Sequence, residues 1–279
     1  MIKADTNFAV IGDPVEHSLS PKIHYLFAKQ HGKEIKYEKI RVTKVSFVNF
    51  VEDFFSNRGG GLNITLPLKT DAFEIAGKLD RDSKSCQAVN TLKSVNGTLS
   101  GFNTDGVGFL EDLEVWHGIS VKNKRVLLLG SGGAAKGIIR PLLINGPKTL
   151  TIANRTPASA LGLADQLRLE NFNDIEGMGL DEIQDLDQRF DIIINATSSG
   201  HKNNEMPIDE NLLEGSTCYD LSYGPAASFA RWAESRGAKR SIDGLGMLIE
   251  QAAKSYEIWT GFSPDTESVR AKIRKDIDI

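Results

Sequence analysis

Short apolar runs alternate with longer amphipathic stretches along most of the chain. The uninterrupted apolar runs predict buried strands, and apolar residues three or four positions apart predict helices. The predicted strands cover residues 8–11, 37–42, 62–65, 126–129, 150–153, 191–194 and 218–221. Such alternation is typical of parallel sheets with crossover helices, so we expect an α/β fold.

Helical spacing marks four further stretches. One begins at Pro21 and runs to residue 31, a position where proline favours a helix start. The others cover residues 47–55, 107–116 and 245–259. A length of 279 residues favours two domains over one. We place the boundary after Asp105, so that the helix 107–116 connects two lobes.

The composition narrows the class of protein. A formal net charge of −4 argues against a nucleic-acid partner, which usually meets a basic surface. No apolar run reaches the roughly 18 residues that a membrane-spanning helix needs. The first apolar stretch ends at Gly12, which argues against a secretory signal, and the two cysteines form no CxxC pair. We therefore expect a cytoplasmic protein without a membrane partner.

The strongest local signal is a glycine-rich turn directly after the strand 126–129. The letters GSGGAA at residues 130–135 fit the pattern G-x-G-x-x-G/A that opens a helix in dinucleotide-binding proteins. Gly130 allows the tight turn, and Gly132 lets the backbone approach a pyrophosphate. Ala135 keeps the helix close to the sheet, and the helix N-terminus offers N–H groups to the phosphates. The turn could also serve the backbone alone, but its strand–turn–helix context favours a dinucleotide.

The end of the next strand distinguishes between the two nicotinamide cofactors. NAD sites usually carry an acidic residue about 20 residues further on, which binds the ribose 2′-hydroxyl. Here the strand 150–153 is followed by Asn154, Arg155 and Thr156 instead. A guanidinium can bind a 2′-phosphate through two hydrogen bonds. The sequence therefore predicts NADP, unless Arg155 is only a solvated surface residue.

Four polar clusters mark the first half of the chain: HSLSP at 17–21, NITLPLK at 63–69, AVNT at 88–91 and NTDG at 103–106. We expect each at the carboxyl end of a predicted strand or in the loop beyond it, the edge where open α/β sheets bind ligands. Singly, each cluster could be a helix cap or a turn. Together they offer hydroxyls, amides, one ammonium and one carboxylate, which suits a small polyhydroxylated ligand.

With these clusters, the chain resembles the shikimate dehydrogenase family, whose members use NADP in aromatic amino-acid biosynthesis. The matching stretches are HSLSP, NITLPLK, AVNT, NTDG, GSGGAA, NRT, NATSSG, YDLSYGP and DGLGMLIEQA. They follow the family's order from Gly12 to Ala253. The resemblance implies a mainly parallel, open α/β substrate domain at 1–105, a Rossmann-like NADP domain at 106–243, and C-terminal helices at 244–279 that return to the substrate domain.

The resemblance also implies roles for individual residues in reducing 3-dehydroshikimate to shikimate. The expected catalytic pair is Lys69 and Asp105, and we take Lys69 as the acid/base, although either could hold the transferred proton. The residues expected to bind substrate are Ser18, Ser20, Asn63, Thr65, Lys69, Asn90, Asp105, Tyr223 and Gln251. The residues expected to bind NADP are Gly130, Ser131, Gly132, Gly133, Ala134, Asn154, Arg155, Thr156, Leu221 and Gly244.

Two departures from the family pattern stand near these residues. Cys86 and Gln87 replace the usual Ala-Gly before AVNT, and Phe102 fills a position that is often polar. Neither change removes a catalytic group, so the prediction of an enzyme survives. The two departures leave open whether the enzyme acts on shikimate alone.

Three alternatives remain at this stage. One is a dehydrogenase that uses quinate, alone or with shikimate, and often NAD. Another is a non-catalytic NADP-binding relative, and a third is a two-lobed NADP enzyme acting on folate, which HSLSP and YDLSYGP do not fit. We expect no metal, because the histidines at 17, 24, 31, 117 and 201 show no ligand spacing, and we expect a monomer or homodimer.

Overall fold

The computed structural model describes residues 7–186, 189–197, 206 and 208–277. The chain divides into two compact units. The first unit comprises residues 1–108 and 248–279, and the second comprises residues 109–247. The sequence-based boundaries, 105/106 and 243/244, lie close to these divisions.

The first unit contains a six-stranded sheet in the order β2-β1-β3-β5-β6-β4. Its strands are β1 (Asn7–Gly12), β2 (Lys36–Arg41), β3 (Gly61–Ile64), β4 (Lys78–Leu79), β5 (Thr91–Val95) and β6 (Thr98–Phe102). Strand β1 pairs in parallel with both β2 and β3, and β4 pairs in parallel with β6. The central apolar strands form the core, with Ile11 and Leu62 fully buried.

Strand β5 is antiparallel to both of its neighbours, which the alternating pattern does not predict. It forms a hairpin with β6 through Asn96 and Gly97, whose φ angles are 50° and 78°. An Asn-Gly pair with two positive φ angles is the preferred two-residue hairpin turn. The hairpin brings the amino end of β5 to the same edge of the sheet as the carboxyl ends of β3 and β6.

The helices of the first unit are α1 (Ser20–Gln30), α2 (Phe47–Ser56), α3 (Lys69–Ile75), α4 (Arg81–Cys86), α5 (Asp105–Leu110), α9 (Leu245–Thr260) and α10 (Thr266–Ile277), of which α5 and α9 continue into the second unit. After Leu110, α5 widens into the π-helical segment Glu111–Trp116. The apolar spacing of α2 buries Phe47 and Val51. Helix α10 is mostly polar, and the apolar pattern does not predict it.

The second unit contains a six-stranded sheet in the order β12-β11-β10-β7-β8-β9. Its strands are β7 (Arg125–Leu129), β8 (Thr149–Asn154), β9 (Ile175–Gly179), β10 (Ile192–Asn195), β11 (Thr217–Asp220) and β12 (Arg240–Ile242). Every pair in this sheet is parallel. The connecting helices include α6 (Gly133–Ile144), α7 (Pro157–Leu169) and α8 (Ser228–Ser235).

The α/β fold class is confirmed by these two sheets, the first mainly parallel and the second wholly parallel. The predicted strands are all present, with ends shifted by a residue or so. The apolar pattern does not predict strand β9, because polar and glycine residues interrupt it. Among the described helices, none combines the length and apolar character needed to cross a membrane.

Candidate active site

Three of the four polar clusters follow the carboxyl ends of strands, as expected. HSLSP follows β1, Thr65 follows β3, and NTDG follows β6. For AVNT the prediction is wrong, because Asn90 lies just before the amino end of β5. The antiparallel direction of β5 nevertheless brings Asn90 to the same edge of the sheet, where its backbone N–H donates to the Phe102 carbonyl at 3.0 Å.

Lys69 and Asp105 form an ion pair at this edge. The Lys69 Nζ lies 2.5 Å from Asp105 Oδ2, and their side chains are only 16% and 7% exposed. Lys69 is the first residue of α3, where the helix dipole disfavours a cation. The nearby carboxylate offsets that cost. Asp105 itself opens α5, a position that suits an anion, and it does not form the turn that its Asp-Gly sequence also allowed.

Asn90 lies at the centre of a buried hydrogen-bond network. The two N–H groups of its Nδ2 face three acceptors within hydrogen-bond distance, Thr104 Oγ1 at 2.9 Å, Asp105 Oδ1 at 2.8 Å and Gln251 Oε1 at 3.3 Å. Its Oδ1 accepts from Thr91 Oγ1 at 2.9 Å and from the Thr104 backbone N–H at 3.0 Å. The network therefore joins three of the predicted substrate residues, Asn90, Asp105 and Gln251, into one hydrogen-bonded group.

A second branch of the network reaches Asn63 on β3. The Asn63 Nδ2 donates to Ser255 Oγ at 3.0 Å and to Thr91 Oγ1 at 3.2 Å, and its Oδ1 accepts from the Tyr37 hydroxyl at 2.7 Å. Sequence reasoning missed Ser255, although it lies four residues after Gln251 and so shares its helix face. It also missed Tyr37, which no polar cluster marks. We name these residues the Asn90 cluster: Tyr37, Asn63, Lys69, Asn90, Thr91, Thr104, Asp105, Gln251 and Ser255.

Burial sets the protonation of Tyr37 in this cluster and of His24 beside it. The ring of His24 is fully buried and stacks on Tyr37, with centroids 4.4 Å apart. Burial lowers the pKa of His24 to about 3, so the ring is neutral at pH 7. Burial also raises the pKa of the Tyr37 phenol well above its usual value, against the opposing effect of the Ser20 hydroxyl.

The remaining predicted substrate residues of the first unit are Ser18, Ser20 and Thr65. Ser18 Oγ donates to Ser20 Oγ at 3.1 Å and accepts from the Ser20 backbone N–H at 3.2 Å. Ser20 is the first residue of α1 rather than its N-cap, which is Leu19. Thr65 follows β3 and its backbone N–H donates to the Ile11 carbonyl at 2.9 Å.

The Cys86 thiol, one of the departures from the family pattern, is buried. Asn103 Nδ2 donates to Cys86 Sγ at 3.1 Å and to the Ala88 carbonyl at 3.0 Å. Asn103 Oδ1 in turn accepts from the Asp105 backbone N–H at 3.0 Å. Burial raises the pKa of Cys86 to about 12, so the thiol is protonated and unreactive at neutral pH.

The glycine loop (residues 130–134) of the second unit has the geometry that its sequence predicts. Gly130 has a φ of 102°, and its N–H donates to the Ala153 carbonyl at 2.7 Å. Gly132 is the N-cap of α6 and offers no side-chain cap to the N–H groups of that helix. A Cβ placed on Gly132 or Gly133 would meet no atom within 4 Å. The loop therefore leaves room and donors for a dinucleotide pyrophosphate.

The predicted 2′-phosphate residues lie between β8 and α7. Asn154 Nδ2 donates to the Thr156 carbonyl at 3.1 Å, which fixes the turn, and Thr156 is the N-cap of α7. Arg155 is exposed. Its guanidinium is therefore available to an anion at this end of the sheet.

Leu221 and Tyr223 lie beyond the carboxyl end of β11, and Gly244 lies beyond the carboxyl end of β12. A Cβ on Gly244 would lie 2.3 Å from the Leu221 carbonyl oxygen, so only glycine allows these two segments to approach. Tyr223 is half-buried and belongs to the second unit, whereas the Asn90 cluster belongs to the first.

A buried carboxylate that sequence reasoning missed anchors the same segment. Asp220 Oδ1 accepts from Asn195 Nδ2 at 3.2 Å and from the Ser222 N–H at 3.0 Å, and its Oδ2 accepts from the Phe229 N–H at 3.1 Å. Burial raises the pKa of Asp220. It ends the buried strand β11, which is the signal that could have identified it.

Among the described residues, no group of three or more His, Cys, Asp or Glu side chains could hold a metal ion. His201 and residues 198–200 of the NATSSG stretch lie outside the described residues.

Comparison with known proteins matches nearly the whole chain to one family. Residues 10–92 match the family described as "Shikimate dehydrogenase substrate binding domain", residues 114–208 match "Shikimate / quinate 5-dehydrogenase", and residues 244–274 match "Shikimate 5'-dehydrogenase C-terminal domain". The shikimate dehydrogenase (NADP(+)) of Alkalilimnicola ehrlichii is 43% identical over 275 residues, which cover 96% of this chain and 98% of that protein.

Solved structures agree with this assignment. An Ael1 enzyme from Pseudomonas putida superposes with a TM-score of 0.88 and 38% identity, over 95% of this chain and 97% of that one. The shikimate 5-dehydrogenase of Thermus thermophilus, in complex with NADP(H) and shikimate, gives a TM-score of 0.85 and 32% identity, over 96% and 98% of the two chains. The sequence-based recognition is confirmed: this chain belongs to the shikimate dehydrogenase family.

Proposed function

We propose that this chain catalyses the reversible NADPH-linked reduction of 3-dehydroshikimate to shikimate. The observation that carries the proposal is the shielded Lys69–Asp105 ion pair, joined through Asn90 to a group of polar side chains. Relatives named for the same reaction and for NADP(+), at 42–43% identity, support it.

The reduction needs a hydride at the carbonyl carbon and a proton at its oxygen. NADPH supplies the hydride when it is bound. Lys69 donates the proton to the oxygen as the hydroxyl forms, and takes a proton back in the reverse direction. Asp105 holds the ammonium in place and accepts a hydrogen bond from a substrate hydroxyl. Because both side chains are largely buried, their interaction is less screened than a surface pair would be.

The other polar residues bind and orient the substrate. In the proposal, Asn63, Asn90 and Gln251 exchange some of their hydrogen bonds within the Asn90 cluster for bonds to the ring hydroxyls, and Thr65 adds a further bond to them. The hydroxyls of Ser18, Ser20 and Tyr223 bind the carboxylate. These donors are neutral, so they align the ring rather than attract its charge from a distance.

The residues of the second unit fit a bound dinucleotide, because Gly132 and Gly133 leave open space at the start of α6. In the proposal, the glycine loop (Gly130, Ser131, Gly132, Gly133 and Ala134) binds the pyrophosphate. Asn154, Arg155 and Thr156 bind the adenosine 2′-phosphate, and Leu221 and Gly244 make further contacts to NADP. The domain roles, 1–105 for substrate and 106–243 for NADP, belong to the same proposal.

A panel of two substrates with two cofactors tests the function directly. Initial rates are measured with shikimate and with quinate, each with NADP⁺ and with NAD⁺. The proposal expects kcat/KM to be highest for shikimate with NADP⁺. Comparable rates with quinate would indicate the broader quinate/shikimate dehydrogenase, and NADP⁺ binding without turnover of either substrate would indicate a non-catalytic relative.

Two further expectations go with this function. A cytoplasmic location and a monomeric or homodimeric state both stay predictions. Sedimentation of the purified chain measures the second.

A further inference from the structure

A cavity of about 540 Å³ opens beside the glycine loop, between the start of α6 and the first three turns of α7. Lys136 lies in the first turns of α6, directly after Ala135, which is fully buried against the core. Lys136 itself is half-buried and lines the cavity. The other lining residues include Ser131, Gly132, Asn154 and Ser159.

Among the described residues that line the cavity, only Lys136 is charged. None of the other lining residues is acidic or basic. The other cations of α6 and α7 are neutralised nearby: Arg140 pairs with Glu170 at 3.4 Å, and Arg168 pairs with Asp165 at 2.6 Å. Within the described part of the chain, no carboxylate pairs with the Lys136 ammonium. An unpaired ammonium in a partly enclosed, acid-free space favours an anionic ligand.

The place of the cavity indicates which anion it receives. Its walls combine the glycine loop at Ser131 and Gly132 with Asn154 at the end of β8 and with Ser159 in the first turn of α7. In a dinucleotide-binding fold, the adenosine ribose lies between these elements, beside the end of the second strand of the unit. Arg155 is exposed and does not line the cavity. Two cations therefore flank this place, one inside the cavity and one outside it.

We propose that Lys136 is a cofactor-specificity residue, whose ammonium binds the 2′-phosphate of NADP inside this cavity. Lys136 thereby contributes to the preference for NADP over NAD, which the sequence analysis attributes to Arg155. A lysine binds phosphate as a point charge, with no demand for the planar geometry of a guanidinium. The inference rests on the proposed function, because it takes NADP as the cofactor.

The test measures binding calorimetrically on the full chain, with two pairs of ligands that differ only in the 2′-phosphate. The pairs are NADP⁺ with NAD⁺, and adenosine 2′,5′-bisphosphate with 5′-AMP. In Lys136→Met, the affinity for NADP⁺ and for the bisphosphate should fall by about tenfold or more, the effect of losing a charged hydrogen bond. The affinity for NAD⁺ and for 5′-AMP should change by less than about twofold, because the contacts they make remain. Lys136→Arg should retain most of the preference.

Lys148→Met is the matched control, because Lys148 is exposed and lies before the amino end of β8, at the opposite edge of the sheet. It removes the same charge and should leave all four affinities unchanged. Equal losses for NADP⁺ and NAD⁺ in Lys136→Met would overturn the inference, since they would place the lysine at the pyrophosphate. Unchanged NADP⁺ affinity would overturn it as well.

Inorganic phosphate separates a cofactor site from a general anion site. Phosphate alone should bind the unmodified chain far more weakly than the bisphosphate; equal affinities would contradict the inference. If the unmodified chain binds neither NADP⁺ nor the bisphosphate, the proposed function itself is wrong. If the unmodified chain prefers NADP⁺ and Lys136→Met keeps that preference, only the role of Lys136 is wrong.

Discussion

The two candidate binding regions differ in how their polar groups are satisfied. In the Asn90 cluster, side chains bond to one another: Asn90 alone contacts Thr91, Thr104, Asp105 and Gln251. The glycine loop and its surroundings instead present groups that are available to a ligand, including the start of α6, which has no side-chain cap, and the exposed Arg155. A substrate must therefore exchange bonds in the first region, whereas a cofactor adds bonds in the second.

This difference predicts how substitutions behave. Removing one member of the Asn90 cluster leaves its buried partners without a hydrogen bond. The free-energy cost of the substitution therefore includes the cost of those unsatisfied partners. Removing a solvent-facing group near the glycine loop leaves no buried group unpaired. Such a substitution should therefore weaken only the contact to one part of the cofactor. The predictions below test this contrast, from the largest expected effect to the smallest.

Lys69→Ala should lower kcat by roughly 10²–10⁴, the usual contribution of a general acid–base group. The affinity for shikimate should change much less, because Asn90, Thr65 and Gln251 still bind the hydroxyls. Steady-state rates together with calorimetric binding measure the two quantities separately. Thermal unfolding must accompany them, because the variant leaves Asp105 buried without its cation.

Lys84→Ala is the control for that experiment, because Lys84 is exposed on the nearby α4. It should leave both kcat and affinity unchanged. A near-normal kcat in Lys69→Ala, with chemistry rate-limiting, would show that another group transfers the proton.

Burial of His24 should make the first unit sensitive to acid. The folded pKa of about 3 lies below the unfolded value near 6.5, so the unfolded chain binds the extra proton and stability falls as pH decreases through that window. Between pH 7 and pH 4.5 this should cost about 3 kcal/mol of unfolding free energy. The variant His24→Phe keeps a ring against Tyr37 but has no imidazole to protonate. In urea unfolding, its free energy of unfolding should therefore fall less between pH 7 and pH 4.5 than that of the unmodified chain, by about the same 3 kcal/mol.

His17→Gln is the comparison for this measurement, since His17 is exposed. Its pH dependence should follow that of the unmodified chain. If His24→Phe and the unmodified chain lose stability in parallel, the acid sensitivity has another origin.

Arg155→Ala should raise the KM for NADP⁺ and leave the KM for NAD⁺ nearly unchanged. Losing a charged hydrogen bond to the 2′-phosphate corresponds to about 1.5–3 kcal/mol. Arg236→Ala, which removes another exposed arginine of the second unit, should leave both constants as they are. Equal losses with the two cofactors would show that Arg155 does not contact the 2′-phosphate.

Gln87→Gly should stabilise the chain by about 1 kcal/mol, the smallest of these effects. Gln87 ends α4 with a φ of 51°, a left-handed conformation that glycine adopts without a steric penalty. The family pattern has glycine at this position. Urea unfolding measures the gain, and Gln87→Ala should show none of it. Because the change lies outside the Asn90 cluster, kcat should be unaffected.

How much the sequence predicts depends on whether a feature is local. Apolar runs identify the central strands, and the turn at Gly130 follows from residues that adjoin it. The hairpin of β5 and β6 escapes the apolar pattern, although its Asn96-Gly97 turn carries a local signal. That omission explains the wrong placement of Asn90, because the direction of β5 decides which edge of the sheet its first residues occupy.

Other features depend on packing between distant segments. Ser255 and Tyr37 join the site only because α9 and β2 pack against β3 and its neighbours, with Asn63 bonded to both residues. Lys136 follows the glycine motif directly, yet the motif gives no role to its position. Its relation to Asn154 and Ser159 depends on how α6 and α7 flank β8.

A double-mutant cycle on Lys69 and Asp105 tests the central claim most directly, namely that these two paired side chains act as one unit in catalysis. The measurement is kcat with saturating shikimate and NADP⁺ for the unmodified chain, Lys69→Ala, Asp105→Asn and the double variant. Our account predicts that the double variant is little worse than the worse single variant, because residues that act as a unit are not additive. Losses that multiply would contradict it, since the two side chains would then contribute independently.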